Sequence, residues 1–136
     1  MSLSKALIDT DILSYYLKGN EQVHLMVSEY LKSHETLVFS EITYFEILAG
    51  LEYRSAHKQK AKFLKFTEKC SILKLNNLSI KMSAVKYSEL RRQGIQIGTP
   101  DLLIAGQAIV NDLQLITNNL KHYAPISDLA VMNWNS

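Results

Sequence analysis

Cysteine, proline and glycine are scarce in this chain of 136 residues, and each scarcity excludes something. A single cysteine, Cys70, rules out an intramolecular disulfide and a cysteine-based zinc site. A reducing cytoplasm is the expected compartment for such a chain. Two prolines and five glycines imply few loops and much regular structure. No glycine-rich phosphate loop is present. No run approaches the ~18 consecutive apolar residues of a membrane span, so no membrane partner is expected. The first apolar stretch has no basic flank and is broken by Asp9 and Asp11, which is not the pattern of a signal peptide. An excess of one charge is missing too. Fifteen Lys and Arg against 13 Asp and Glu leave a net charge of +2, which tolerates a nucleic-acid partner without arguing for one. With 47% hydrophobic and 21% charged residues, the chain reads as one soluble domain over 1–136 with a substantial core.

What is present is an alternation of apolar strands and amphipathic helices, without repeats or linkers. "KALID" at 5–9 is a short buried strand, too apolar to alternate. "TDILSYYLKG" follows as a helix with Ile12, Leu13, Tyr16 and Leu17 on one side and Gly19 near its stop. Helical spacing continues over 21–34 through Val23, Met26, Val27, Tyr30 and Leu31. "TLVFS" at 36–40 is a second strand, and Ser40 caps the helix "EITYFEILAGLEY". A more polar helix covers 56–69, then "SILKL" at 71–75 is a third strand and "LSIKMSAVKYSELRRQ" an amphipathic helix ending at Gly94. "TPDLLIAGQAIVNDL" opens with Thr99 as N-cap and Pro100 at the first helical position. "LQLIT" at 113–117 is a fourth strand, and "LAVMNW" at 129–134 is the candidate for a fifth. The pattern predicts an α/β fold, a three-layer sandwich with a mostly parallel central sheet of four to five strands. In such sheets the ligand site lies beyond the carboxyl ends of the strands.

Acidic and amide side chains fall at those ends. Asp9 and Asp11 follow the first strand, Glu46 lies on the helix after the second, Asp101 opens the helix before the fourth, and Asn118 and Asn119 follow it. Glu46 borders an apolar stripe beside small residues, an unusual place for a solvated charge. Converging carboxylates repel one another unless a cation offsets their charge. Hard oxygen donors without Cys or paired His suit Mg²⁺ or Mn²⁺ rather than zinc. Such a centre acidifies a water and orients it for attack on a phosphodiester. Simpler readings exist position by position: Asp11 or Thr10 as a helix cap, Asp101 as complement to a helix dipole, Glu46 paired with a lysine or arginine. The cation is the one reading that accounts for Asp9, Glu46 and Asp101 together.

"ALIDTDILSYYLKG", "VFSEITYFEILAGL", "IGTPDLLIAGQAI" and "LITNNLKHYAPISDLAVMNW" together resemble the PIN domain, and more narrowly the VapC-type toxins of bacterial toxin–antitoxin pairs. The resemblance runs over nearly the whole chain in the right order. It implies an Mg²⁺- or Mn²⁺-dependent endoribonuclease acting on an RNA substrate, a cognate antitoxin protein and a homodimer. Position by position, Asp9 matches the family's first acid, Glu46 the glutamate of the E-I/L-x-x-G segment, and Asp101 the acid before the L-I-A helix. Thr117 matches the threonine after the last core strand. Asn119 stands where the family often has aspartate, which removes a charge but keeps an oxygen donor. Asp11 and Thr10 are placed around this centre with Thr117 and Asn119.

The basic stretch "YRSAHKQKAKFLKF" supplies Arg54, Lys58 and Lys62 as candidate contacts to RNA or a partner, against a solvated helix face as the simpler reading. His24, His34, His57 and His122 show no ligand spacing and read as surface or core-edge residues. Cys70 reads as a structural thiol, and Tyr15, Tyr16 and Trp134 as core. Two other functions compete. Phosphoryl transfer of the haloacid-dehalogenase kind would make an Asp of "DTDIL" the nucleophile, but Leu13 departs from that motif and no cap domain fits. A degenerate PIN scaffold would bind RNA or protein without cutting, and Asn119 is the feature in its favour.

Overall fold

The computed structural model describes residues 3–136. Among them run five strands and seven helices. β1 (Ala6–Ile8) leads into α1 (Thr10–Leu17) and α2 (Glu21–Tyr30), and β2 (Val38–Ser40) into α3 (Glu41–Tyr53) and α4 (His57–Thr67). β3 (Ser71–Leu73) precedes α5 (Asn77–Arg92) and α6 (Thr99–Val110). β4 (Gln114–Ile116), α7 (Leu120–Tyr123) and β5 (Val131–Met132) complete the order.

Every strand pair is parallel: β1 with β4, β4 with β5, and β2 with β3. β2 lies beside β1 without a ladder of its own to it, so the sheet is hydrogen-bonded in two parts. The spatial order is therefore β3-β2-β1-β4-β5, and the direction of winding reverses between β1 and β4. That switch point is where an open parallel sheet leaves a crevice at its carboxyl edge.

The two-residue period of the strands divides the core into two layers. Ala6, Ile8, Phe39 and Ile116 face α1 to α4, packing with Ile12, Val27, Ile47 and Phe63. Leu7 and Leu115 face the other side, with Leu90, Ile104, Ala108 and Tyr123 of α5 to α7. This is the expected three-layer sandwich. Trp134 is buried, and Tyr15 and Tyr16 pack partly buried at the edge of the first layer. Cys70 is half-buried, and burial pushes its thiol up to about 11, as befits a structural cysteine.

The helix starts follow local chemistry. The Asn20 side chain accepts from the Val23 amide, Ser40 from Ile42, and Asn76 forms a reciprocal capping box with Ser79. Gly19 and Gly94, with φ of +87° and +74°, follow α1 and α5 in the left-handed conformation that favours glycine. Two expectations need correction, and one short helix stands beside them. Asp9, not Thr10 or Asp11, is the N-cap residue of α1 and lies just outside the strand. Gly98 holds the cap position of α6, so Thr99 and Pro100 move one place into the helix. α7 was not foreseen, because four residues are too few to show a helical period. Among the described residues no helix is long and apolar enough to cross a membrane.

Two close contacts tie the second layer together. Gly106 of α6 lies directly against Ser79 and Ser83 of α5, where a side chain on α6 has no room. Lys86 of α5 is almost fully buried, and its Nζ reaches Ser127 Oγ and Asp128 Oδ2, each at 2.9 Å, in the turn before β5.

Candidate active site

Asp9 is the first residue past β1, and its own amide still donates to the Ile116 carbonyl of β4 at 2.8 Å. The strand pairing thus sets its place at the switch point. Only 6% exposed, its Oδ1 accepts from the Thr10 amide at 2.9 Å. Its Oδ2 accepts from the Thr117 hydroxyl at 2.9 Å and the Tyr123 hydroxyl at 3.2 Å. Burial pushes this carboxyl up to about 6, helped by the charges of Asp11 and Asp101, and the bonds from Thr117 and Thr10 offset only part of that.

Asp11 is held by two backbone amides, from Ile12 at 2.7 Å and from Asn118 at 3.1 Å, which tie the start of α1 to the turn after β4. Burial raises its carboxyl pKa, against the pull of those amides. Glu46 of α3 receives the Thr10 hydroxyl at 2.7 Å on Oε1. Thr43 Oγ1 lies 2.9 Å from the same hydroxyl. The partner of Glu46 is therefore a threonine, not a lysine or arginine. Asp101, in the first turn of α6, has its Oδ2 2.8 Å from His122 Nε2.

Thr10, Thr117, Asp9, Asp11, Glu46 and Asp101 thus gather around the carboxyl ends of β1 and β4. Asn119 does not join them through its side chain. It is exposed, and its backbone amide donates to Thr117 Oγ1 at 3.1 Å. Arg54 and Lys62 line a cleft of about 550 Å³ between α1, α3 and α4, with Thr10 and Glu46 also in its walls. Lys58 is exposed on α4 and is not one of its lining residues. His24 and His34 sit against backbone carbonyls and stack on Tyr16 and Tyr30, His24 at the surface and His34 at the core edge.

Sequence reasoning missed His122 and Tyr123. The short turn of α7 brings both back over the strand ends, and no periodicity announces so short an element. Tyr123 is buried, and burial with the charges of Asp9 and Asp101 drives its hydroxyl pKa far above the ordinary phenol value. It is therefore a permanent donor to Asp9. Tyr123→Phe is expected to lower stability by about 1.5–3 kcal/mol, the worth of a hydrogen bond to a charged group, read as a fall in Tm.

The donor set, carboxylate oxygens joined by threonine hydroxyls, has the chemistry of a hard divalent cation site, and a cation would offset the burial and the neighbouring negative charge that raise Asp9. Among the described residues no three His, Cys, Asp or Glu side chains converge into a cage. Magnesium does not need one, since it is held through one or two carboxylates and keeps most of its waters.

Comparison with known proteins agrees with this geometry. The sequence pattern of the PIN domain matches residues 6–125. The chain is 30% identical over 129 residues to "Ribonuclease VapC1" of Haemophilus influenzae (strain R2866), covering 94% of this chain and 96% of that protein. It is 28% identical over 130 residues to "Ribonuclease VapC2" of Rickettsia felis, covering 95% and 97%. The crystal structure of VapBC2 from Rickettsia felis, bound to a DNA fragment from the promoter, superposes with a TM-score of 0.88 at 26% identity, covering 95% of this chain and 98% of that one. The winding of the sheet, the acids at its switch point and a sequence match over nearly the whole chain lead to one conclusion: this chain belongs to the PIN-domain family.

Proposed function

We propose that this protein is a divalent-metal-dependent endoribonuclease of the VapC type, the toxin of a cytoplasmic toxin–antitoxin pair, acting as one PIN unit. The observation that carries this reading is the placement of Asp9. A buried carboxyl at the switch point, held by Thr117 and Tyr123 and faced by Asp11 and Asp101, is poorly suited to stability and well suited to a cation. The ribonuclease names of the relatives and the likeness to VapBC2 support the same assignment.

Asp9, Glu46 and Asp101 would hold Mg²⁺ or Mn²⁺. Such an ion supplies Lewis-acid stabilisation of the charge that develops on a phosphodiester under attack by water. The chain's own residues do the rest. Thr117 and Tyr123 hold one oxygen of Asp9 in place. Thr10 donates to Oε1 of Glu46 and holds that carboxylate at the edge of the cleft. Asp11, held by two amides, stiffens the turn that carries Asn118 and Asn119. Arg54 and Lys62 offer positive charge along the cleft beside Glu46, for RNA phosphates or an acidic segment of the antitoxin. Phe45 and Tyr53, both strongly exposed on α3, are consistent with a homodimer contact.

The test is incubation of the purified protein with structured RNA and Mn²⁺ or Mg²⁺, with EDTA and Glu46→Gln arms. Cleavage is expected in the wild type, to vanish with EDTA, and to fall at least about 100-fold in the variant. Cleavage that survives both changes would overturn the reading. No cleavage, with growth arrest on induction of wild type and variant alike, would favour a scaffold that binds without cutting.

A further inference from the structure

We infer that the cleft beside Glu46, held open by Gly50, is a pocket for an unpaired nucleobase next to the scissile phosphate; this rests on the ribonuclease reading above. The cleft measures about 550 Å³ between α1, α3 and α4, with Thr10 and Glu46 in its walls. That volume lies within the roughly 300–1,000 Å³ of small-ligand sites.

Gly50 has no structural reason to be glycine. It lies inside α3 with a backbone conformation that any residue adopts, and glycine inside a helix weakens it relative to alanine. Packing does not demand it either. An added Cβ would meet only Arg54 Nη1, at 3.3 Å, the movable end of a flexible side chain. Gly106 differs, since a Cβ there would strike the backbone of α5. Gly50 lines the cleft, so what its missing side chain preserves is open space in the cleft.

The walls match a nucleotide. Leu51, Phe63 and Phe66 supply apolar surface, and Lys18, Arg54 and Lys62 stand around it. None of these three cations has an ion-pair partner among the described residues, whereas nearby Lys60 is paired with Glu52. Free cations beside aromatic and aliphatic side chains suit single-stranded nucleic acid, whose phosphates meet the charges while its bases meet the apolar faces. Glu46 is the one acid among the described lining residues, and it joins the cleft to the acidic site. An RNA with its scissile phosphate at that site therefore brings the adjoining base to the cleft. A base that is paired and stacked in a duplex cannot enter, so the pocket selects unpaired RNA. An extended peptide fits less well, because helical walls offer no sheet edge for it to join.

The experiment measures binding by the full chain in EDTA, where metal-dependent cleavage is off. The probes are a single-stranded RNA dodecamer, its duplex, and an abasic dodecamer that keeps the phosphates and lacks the bases. The wild type is expected to bind the single strand at least about tenfold more tightly than either of the others. Gly50→Leu, which fills the cleft, is expected to melt no lower than wild type and to bind the single strand only as weakly as the abasic probe. Gly50→Ala, a smaller plug, is expected to fall between them. The inference is overturned, and the ribonuclease reading left standing, if a wild type that cleaves RNA with Mn²⁺ binds none in EDTA or binds the abasic probe equally well. Wild-type affinity in Gly50→Leu has the same consequence. A glutamate dodecapeptide bound more tightly than RNA, and released by Gly50→Leu, assigns the cleft to an acidic protein segment and also overturns it. Wild type that neither binds nor cleaves RNA overturns both readings.

Discussion

Asp9→Asn is expected to abolish RNA cleavage and, at neutral pH without divalent ions, to make the protein more stable. Both effects come from one carboxylate. Its pKa is raised from an ordinary 3.8 to about 6 in the folded state. Between those values the folded chain binds the proton that the unfolded chain has released, so stability falls as pH rises from about 4 to about 6 and is level above. Two units correspond to about 3 kcal/mol of opposition to folding above pH 6, at an order-of-magnitude level. Asparagine carries no charge and removes that opposition. Part of the gain is lost because its amide must face the Thr117 and Tyr123 hydroxyls, which can rotate to accept. A net stabilisation of about 1–2 kcal/mol remains, a Tm higher by roughly 3–6 °C at pH 7.5. The stability contribution of this site also becomes independent of pH between 4 and 6. Mn²⁺ is expected to raise the Tm of the wild type and leave the variant nearly unmoved. Cleavage is expected to drop at least about 100-fold. Thermal melts from pH 4.5 to 7.5, with and without Mn²⁺, decide the matter. A variant less stable than wild type at pH 7.5 without metal would show that Asp9 is a structural residue.

Gly106→Ala is expected to be the most damaging small substitution in the second layer. A Cβ at Gly106 would overlap Ser83 Oγ, come within 2.7 Å of the Ser79 carbonyl oxygen and within 3.1 Å of Ser83 Cβ. The Ser79 oxygen is α5 backbone, so relief requires the helices to part. Ser83 cannot swing aside without loss, because its hydroxyl donates to the Leu102 carbonyl at 2.8 Å and lies 3.1 Å from that of Ser79. Alanine's better helix propensity returns about 1 kcal/mol, and the overpacking exceeds it, leaving a net cost of about 2–3 kcal/mol. The corresponding fall in Tm is roughly 6–10 °C. Asp101 lies on the same helix, so cleavage should weaken even at temperatures where the variant is folded. Adding Ser83→Ala removes one of the clashing atoms and should recover part of the loss. A melting temperature equal to that of wild type would show that the α5–α6 contact has slack.

The amino-acid sequence by itself determined the alternation of strands and helices, the parallel sandwich, and the place of Asp9 just past the first strand. These follow from features read within a few residues: apolar runs, helical periods, and the rule that parallel strands present their carboxyl ends together. The start of α3 was legible for the same reason, since Ser40 bonds the Ile42 amide two residues away. Only the tertiary structure decided which side chains meet there. Thr10 finds Glu46 across 36 residues, Tyr123 finds Asp9 across 114, and His122 rather than the Asn119 side chain stands beside Asp101. It also separated the two aspartates of "DTD", giving Asp9 the cap of α1 and the buried hydroxyls, and Asp11 two backbone amides. Such pairings depend on strand order, on the closeness of helix packing and on the turn of a four-residue helix. None of these leaves a period in the local sequence.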